Sequence, residues 1–426
     1  MTKYRIIGNM TGNSMDAIDL VLTEFDGDKM TDICSYSKPY ATDMQQRMEN
    51  LRRKVFNKTR DEIISLSEFK SIHDEYVGGV ADCVNEMCAK YGIDKKTIHA
   101  IGFHGKTLDH NPPSKAKVDG TEAYTLQIGS GQMLADLTDI PVVYDFRSDC
   151  IMAGFDGAPL VPPHNAHISA SEGDGCYYNG GNTSNFAIIT DGVAQIGADA
   201  GPFNEYTDSY IRQNTEEAFD KDGTFGKKGK LDEKLLQVLF DIGRKYYELD
   251  LPKSGDPAYY HKEEIFNYVR ENDIELKDAV RTFEYFAAYI AVQALTLVPE
   301  SIVMPHQMIL FGGGWKNPIV SESFKELLSG KGFLLSEHKE SFAKLQRCFK
   351  KNPIVRYSCF GEYMEARLFA DLARYKLEGR AWEIPEIVKV DKKVICGVVA
   401  TPKKKADVYG DCINRAAKGW QKTFSF

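Results

Sequence analysis

Residues 4–25 read YRIIGNMTGNSMDAIDLVLTEF, and residues 176–190 read CYYNGGNTSNFAIIT. Each stretch is an apolar run, a turn of small polar residues and a second apolar run, which is the signal of a β-hairpin. In the first, Tyr4–Met10 and Ala17–Phe25 flank a turn over Thr11–Asp16; in the second, Gly180, Gly181, Asn182, Thr183 and Ser184 make the turn. Asp26-Gly27-Asp28 turns the chain once more, so the opening predicts a three-stranded meander, with helices near 43–54 and 61–90 after it.

The pattern continues outward from both hairpins. Ile98–His104 and Pro141–Phe146 read as buried strands and Gly129–Asp139 as a helix. After the second hairpin come helices near 203–213, 231–247, 260–272 and 276–298, then a strand, Gln307–Phe311, that runs into Gly312-Gly313-Gly314. Strands interleaved with helices predict an α/β protein with mixed sheets. At 426 residues the chain exceeds the size at which one core keeps growing, so two lobes and a cleft are expected. The lobes are placed at 1–169, completed by about 398–426, and at 170–397, joined by structured crossings, since no Pro-rich or low-complexity linker separates them.

Composition narrows the function. With 53 Lys and Arg against 61 Asp and Glu, no basic field exists to hold a polyphosphate backbone, which argues against nucleic acid as a partner. No stretch reaches the roughly 18 uninterrupted apolar residues of a membrane span, and MTKYRIIGNMTGN has no signal-peptide core. The expectation is a cytoplasmic protein without a membrane partner. Nine cysteines lacking CxxC pairs suit reduced thiols.

Two turns rich in Gly, Ser, Thr and Asn, one per half, could present two sets of backbone N–H groups to one phosphate chain. Either turn alone is equally well a plain hairpin connection. The first lacks GxxxxGK[ST], so a P-loop is excluded. Gly312, Gly313 and Gly314 either permit a tight connection or admit a flat ligand against bare backbone. Asp199 stands among small residues in Gly197–Asn204, as a general base for a hydroxyl or water, or as a helix N-cap before Pro202. Arg147 either anchors a substrate oxygen or pairs with Asp145; His104 either donates to a sugar hydroxyl or serves the fold.

Taken in order, these segments resemble the anhydro-N-acetylmuramic acid kinase family, which includes the similar levoglucosan kinases. The family's opening GxMSGTSxDGxD is similar to Gly8–Asp19, its SHGQT to Phe103–Thr107, and its TLQIG and DFR with AGGQGAPLVP to Thr125–Gly129 and Asp145–Pro162. NIGGIAN is similar to Asn179–Asn185, FDTGPGN to Ala198–Asn204, DKDG with spaced glycines to Asp220–Gly229, and CGGGxxNP to Phe311–Pro318. The matches run from residue 8 to about 370.

The resemblance implies a two-lobed actin/hexokinase-like fold of paired RNase H-like lobes, ATP with Mg²⁺, a small-molecule sugar substrate and a homodimer. It also implies roles. Gly12, Asn13, Ser14 and Asp16 are set at the phosphates, with Asp16 at the metal through water; Gly180, Gly181, Asn182 and Thr183 form the second phosphate loop; Gly312, Gly313, Gly314 and Asn317 face the nucleoside. Asp199 matches the catalytic base and Glu365 the acid of a late KEA motif, while His104, Thr107 and Arg147 become substrate-side residues. The implied reaction opens a 1,6-anhydro sugar by hydrolysis as O6 is phosphorylated. Departures are Asn13 for Thr, Ala17 for Gly, Lys106 for Gln, Asn182 for Gly, Ala200 for Thr, Phe203 for a small residue and Met364 for Lys; PPKSTGRE survives only as Leu251–Pro257, without the arginine. Lys106 and Phe203 would stand near the sugar and favour a changed substrate. The alternatives are a kinase of another small sugar without ring hydrolysis, and a weakly catalytic ATP-binding protein of the same fold.

Overall fold

A computed structural model of the chain describes residues 3–12, 15, 17–253, 260–349, 352–382, 394–403 and 410–419. The described residues divide into two compact units. The first takes in the chain up to Leu160, then 363–382 and the described residues beyond 394; the second is built on Val161–Glu362.

In the first unit the meander is β1 (Lys3–Met10), β2 (Ala17–Asp26) and β3 (Lys29–Pro39), antiparallel throughout. Parallel strands β4 (Ala100–Phe103) and β7 (Val142–Tyr144) extend the β1 side, and β13 (Val398–Ala400) closes that edge, giving the order β13-β7-β4-β1-β2-β3. A separate ribbon pairs β5 (Lys106–Asn111) with β6 (Tyr124–Ile128). The helix Phe69–Tyr91 buries Phe69, Ile72, Tyr76, Val77, Val80 and Val84, a stripe at helical spacing that enters the core with Ile7, Leu20 and Leu22. The helix Met364–Glu378 lies so close to the sheet that only glycine fits beneath it. A Cβ at Gly8 would stand 1.8 Å from the Ala366 carbonyl oxygen, and one at Gly102 would stand 2.0 Å from that of Phe369.

The second unit repeats the plan. Antiparallel β10 (Val193–Pro202), β9 (Thr183–Thr190) and β8 (Gly175–Gly180) form its meander, and β11 (Gln307–Phe311) and β12 (Ile354–Tyr357) add in parallel, in the order β10-β9-β8-β11-β12. The helix Leu276–Leu295 is buried on nearly every face and is the spine of this core. One meander-led mixed sheet per unit is the α/β class expected.

Four local readings differ. The region expected as one helix over 61–90 is two, Arg60–Ile64 and Phe69–Tyr91, because Ser65 Oγ donates to the Glu62 carbonyl at 2.7 Å and competes with helix propagation. The strand expected to reach Phe146 stops at Tyr144; Asp145, at φ +56°, turns the chain into the helix Phe146–Met152, so Arg147 is helical. The helix Val161–Glu172 belongs to the second unit, where Pro162 would meet any Cβ on Gly197 at 2.3 Å. The first unit regains the chain at Tyr363, earlier than the 398 read from sequence. Among the described residues no helix is long and apolar enough to cross a membrane, and all nine cysteines are thiols.

Candidate functional site

In the first unit His104 follows β4 and Arg147 lies in the helix that follows β7, at the carboxyl ends of parallel strands where such sheets usually bind ligands. Arg147 Nε donates to His104 Nε2 at 3.0 Å and its NH1 donates to the Gly157 carbonyl at 2.6 Å. The alternative pairing of Arg147 with Asp145 is not adopted, because Asp145 accepts instead from Arg415 Nε at 2.7 Å. His104 is buried and lies against Phe369, ring centroids 4.5 Å apart. Burial holds its imidazole well below the ordinary histidine range, and the charges of Arg147 and Lys106 add to this. A neutral ring accepting at Nε2 carries its proton on Nδ1. Glu365, half-buried in the first turn of the Met364–Glu378 helix, is pushed upward by burial; Arg147 opposes this and Asp19 reinforces it. Thr107 accepts from Gln127 Nε2 at 3.2 Å, a brace not anticipated from sequence.

Lys106 is buried, and its Nζ donates to the Gly12 carbonyl at 2.8 Å. Asn13, Ser14 and Asp16, the last of them expected at the metal, lie outside the described residues.

In the second unit the glycine turns meet. Gly312, at φ +94°, takes a conformation that disfavours any side chain, and a Cβ there would stand 2.5 Å from Asn179 Oδ1 and 2.8 Å from the Gly180 carbonyl oxygen. The turn after β11 is thus seated on the β8–β9 turn. Gly181 and Asn182 carbonyls accept the amides of Asn204 at 3.1 Å and Phe203 at 2.7 Å, and Thr183 Oγ1 lies 2.9 Å from the Tyr260 hydroxyl. Gly313 is exposed, and a Cβ on it would meet nothing within 4 Å, which leaves bare backbone facing open space. Asn317 caps the helix Pro318–Leu328 by accepting from the Ile319 amide at 3.0 Å and donates to Glu284 at 2.6 Å.

Phe203 does not face a sugar from this position. It is 1% exposed, 4.6 Å from Trp315 by ring centroids, and wedged under Gly180 and Gly314. Its bulk fills the floor of the turns.

Asp199 is half-buried on β10, so the helix-cap alternative falls: the following helix begins only at Glu205. Asp199 pairs with Asn185, which on its other side pairs with Asn179, which in turn pairs with Phe311. One cross-strand row therefore carries the acid and the residues that lead into both glycine turns. A register shift between Asp199 and Gly201 marks a bulge, a common device for re-aiming a side chain beside a site.

Lys253 is a residue that the sequence reading missed. Its carbonyl accepts the Asp199 amide at 2.9 Å, while its Nζ donates to the Tyr246 and Tyr247 carbonyls at 3.1 and 2.8 Å and lies 4.8 Å over the Tyr246 ring. Burial pushes its ammonium down to about 7, against the pull of Asp199. The stretch 251–257 held the only signal, and there the missing arginine drew attention from the retained lysine. A half-buried carboxylate can accept a proton, and the glycine turn at Gly313 leaves backbone open to an approaching ligand.

The family model for anhydro-N-acetylmuramic acid kinase matches residues 4–402. An anhydro-N-acetylmuramic acid kinase of Shewanella loihica is 35% identical over 284 residues, 65% of this chain and 73% of that protein. Those of Vibrio vulnificus and Nitrobacter winogradskyi are each 28% identical, over 402 and 407 residues, covering 93% of this chain and 98% and 99% of theirs.

Proposed function

The chain belongs to the anhydro-N-acetylmuramic acid kinase family and is a phosphotransferase acting on a sugar hydroxyl, and from that premise we propose that it opens a 1,6-anhydro sugar of the anhydro-N-acetylmuramic acid type while phosphorylating O6 with ATP. Asp199 accepts a proton from the water that adds to the anomeric carbon. The C1–O6 bond breaks, and O6 takes the γ-phosphoryl group, leaving ADP and an open sugar 6-phosphate.

The observation that carries this reading is the row from Asp199 through Asn185 and Asn179 to Phe311, which sets the acid in register with both glycine turns. Gly180–Thr183 and Gly312–Gly314 supply backbone donors and a bare surface for the nucleotide, with Gly12, Asn13 and Ser14 assigned to the phosphates. Asp16 is assigned to Mg²⁺, which when bound neutralises phosphate charge. Phosphoryl transfer depends mainly on such positioning and electrostatics. His104, Arg147, Thr107 and Glu365 orient the sugar, with neutral His104 keeping Arg147 aligned.

Turnover of 1,6-anhydro-N-acetylmuramic acid with ATP in ¹⁸O-labelled water tests the coupling. The label should enter the anomeric hydroxyl of the phosphorylated product. Phosphorylation of reducing sugars alone, with no turnover of anhydro sugars, would replace this reading with that of a simple sugar kinase.

A further inference from the structure

Glu284 sits in the middle of the helix Leu276–Leu295, 1% exposed, among Phe283, Tyr285 and Phe286. Its Oε1 accepts from Asn317 Nδ2 at 2.6 Å. Among the described residues no donor reaches its Oε2. Facing it is Asp220, also buried, whose carboxylate accepts the amides of Phe225 at 3.0 Å and Gly226 at 2.9 Å. Gly226 shows how tight the arrangement is, since a Cβ there would stand 1.9 Å from Glu284 Oε2. Two buried carboxyl groups thus meet across one glycine.

Such a pair does not carry two full charges in a buried site, and the surroundings decide which group keeps the proton. Asp220 accepts two backbone N–H groups, so both of its oxygens already have donors. Glu284 has a donor on one oxygen only, and its other oxygen is where a proton fits. The charged groups facing Glu284 are Asp220 from the 220–229 turn and Arg281 from its own helix. Lys227 and Lys228 of the turn, and Glu322, Lys325 and Glu326 of the helix Pro318–Leu328, are exposed. Burial first, and Asp220 second, push Glu284 up to about 9.

We propose that Glu284 is a positioning residue, a carboxylic acid that ties the Asp220–Gly229 turn to Asn317 and so holds Gly312–Asn317 in the shape that receives a nucleotide. The role toward nucleotide rests on the reading of that turn given above. Loss of the proton sets two carboxylates against each other beside Gly226, which loosens the turn. The segment so held contains Trp315, whose indole donates to the Tyr178 carbonyl at 3.0 Å and whose emission reports its packing.

The test compares the full chain with Glu284→Gln, which keeps the shape and a donor toward Asp220 but cannot ionise. Binding of the non-hydrolysable β,γ-imido analogue of ATP is measured by calorimetry at about pH 7 and about pH 10, either side of the Glu284 transition, with tryptophan emission at each. The unmodified protein should lose about ten-fold in affinity between the two, roughly one pKa unit of coupling, with a red shift in emission. The variant should match it at the lower pH and keep both affinity and emission at the higher. Parallel loss in the two proteins, or weak binding by the variant already at neutral pH, overturns the proposal. An emission difference at high pH with no nucleotide bound by either protein upholds the positioning role and sinks the nucleotide reading instead.

Discussion

Asp199 and Asn179 stand in one cross-strand row of the second sheet, each opposite Asn185 on β9. Two strand spacings separate them, about 10 Å, which is the reach of a small ligand. Asn179 leads into the β8–β9 turn, and its Oδ1 also lies where a Cβ on Gly312 would fall. The acid and the two glycine turns are therefore built on the same backbone, and displacement of one disturbs the other.

Gly312 and Gly313 should respond differently to alanine. Gly312→Ala places a Cβ 2.5 Å from Asn179 Oδ1 and 2.8 Å from a backbone oxygen at φ +94°, at a cost of about 1–3 kcal/mol. Thermal unfolding should shift down and ATP binding should be lost. Gly313→Ala meets no protein atom within 4 Å; its stability should be unchanged and only ATP affinity should fall. Equal loss of stability in both variants contradicts the description of the turn.

Phe203→Ala should destabilise the second unit by about 3–5 kcal/mol, as for a large buried ring, because Phe203 fills the floor beneath Gly180 and Gly314. It should not widen the range of sugars used. A stable variant with new substrates, in a panel assay, would return Phe203 to the sugar pocket.

Lys253 makes stability depend on pH with a defined sign. Its folded value, about 7, lies below the unfolded 10.5, so the unfolded chain binds more protons between these values and stability rises with pH across that window. Lys253→Met abolishes this contribution and also removes the Nζ donor to the Tyr246 and Tyr247 carbonyls. The variant should melt lower than the unmodified protein, by a margin that widens from about pH 6 to about pH 9. A margin that is constant over this range means that Lys253 does not titrate there.

Arg147→Met removes the donor to His104 Nε2 and a charge that keeps the imidazole neutral. The His104 titration, followed by NMR, should move upward, and kcat/KM for the sugar should fall by roughly 10–150-fold, the worth of a lost charge-assisted hydrogen bond. An unmoved His104 titration would break the link between the two residues.

Both hairpins and the glycine run were legible because each is written in a short local pattern of apolar runs and turn residues, whereas the acid at position 199 was singled out as a base only through the family resemblance. The parallel pairings β1 with β4 and β8 with β11 are non-local and leave no such mark. Nor was it visible that Gly8 and Gly102 exist to let the Met364–Glu378 helix approach, since the partner lies hundreds of residues away. Lys253 and Glu284 escaped for another reason: a charged residue in sequence reads as surface, and only packing reveals it as core. That Phe203 fills the space beneath Gly180 and Gly314 was not visible either, since those contacts are non-local. Asn13, Ser14 and Asp16 stay where the sequence left them, outside the described residues.

The most direct test of the account is Asp199→Asn, with turnover of 1,6-anhydro-N-acetylmuramic acid and ATP affinity measured on the same sample. A carboxylate acting as general base predicts a fall in kcat of at least 10²-fold, on the order expected for a positioned base, with ATP bound as tightly as by the unmodified protein. Full turnover in that variant would contradict the assignment of the base and, with it, the hydrolytic reading of this site.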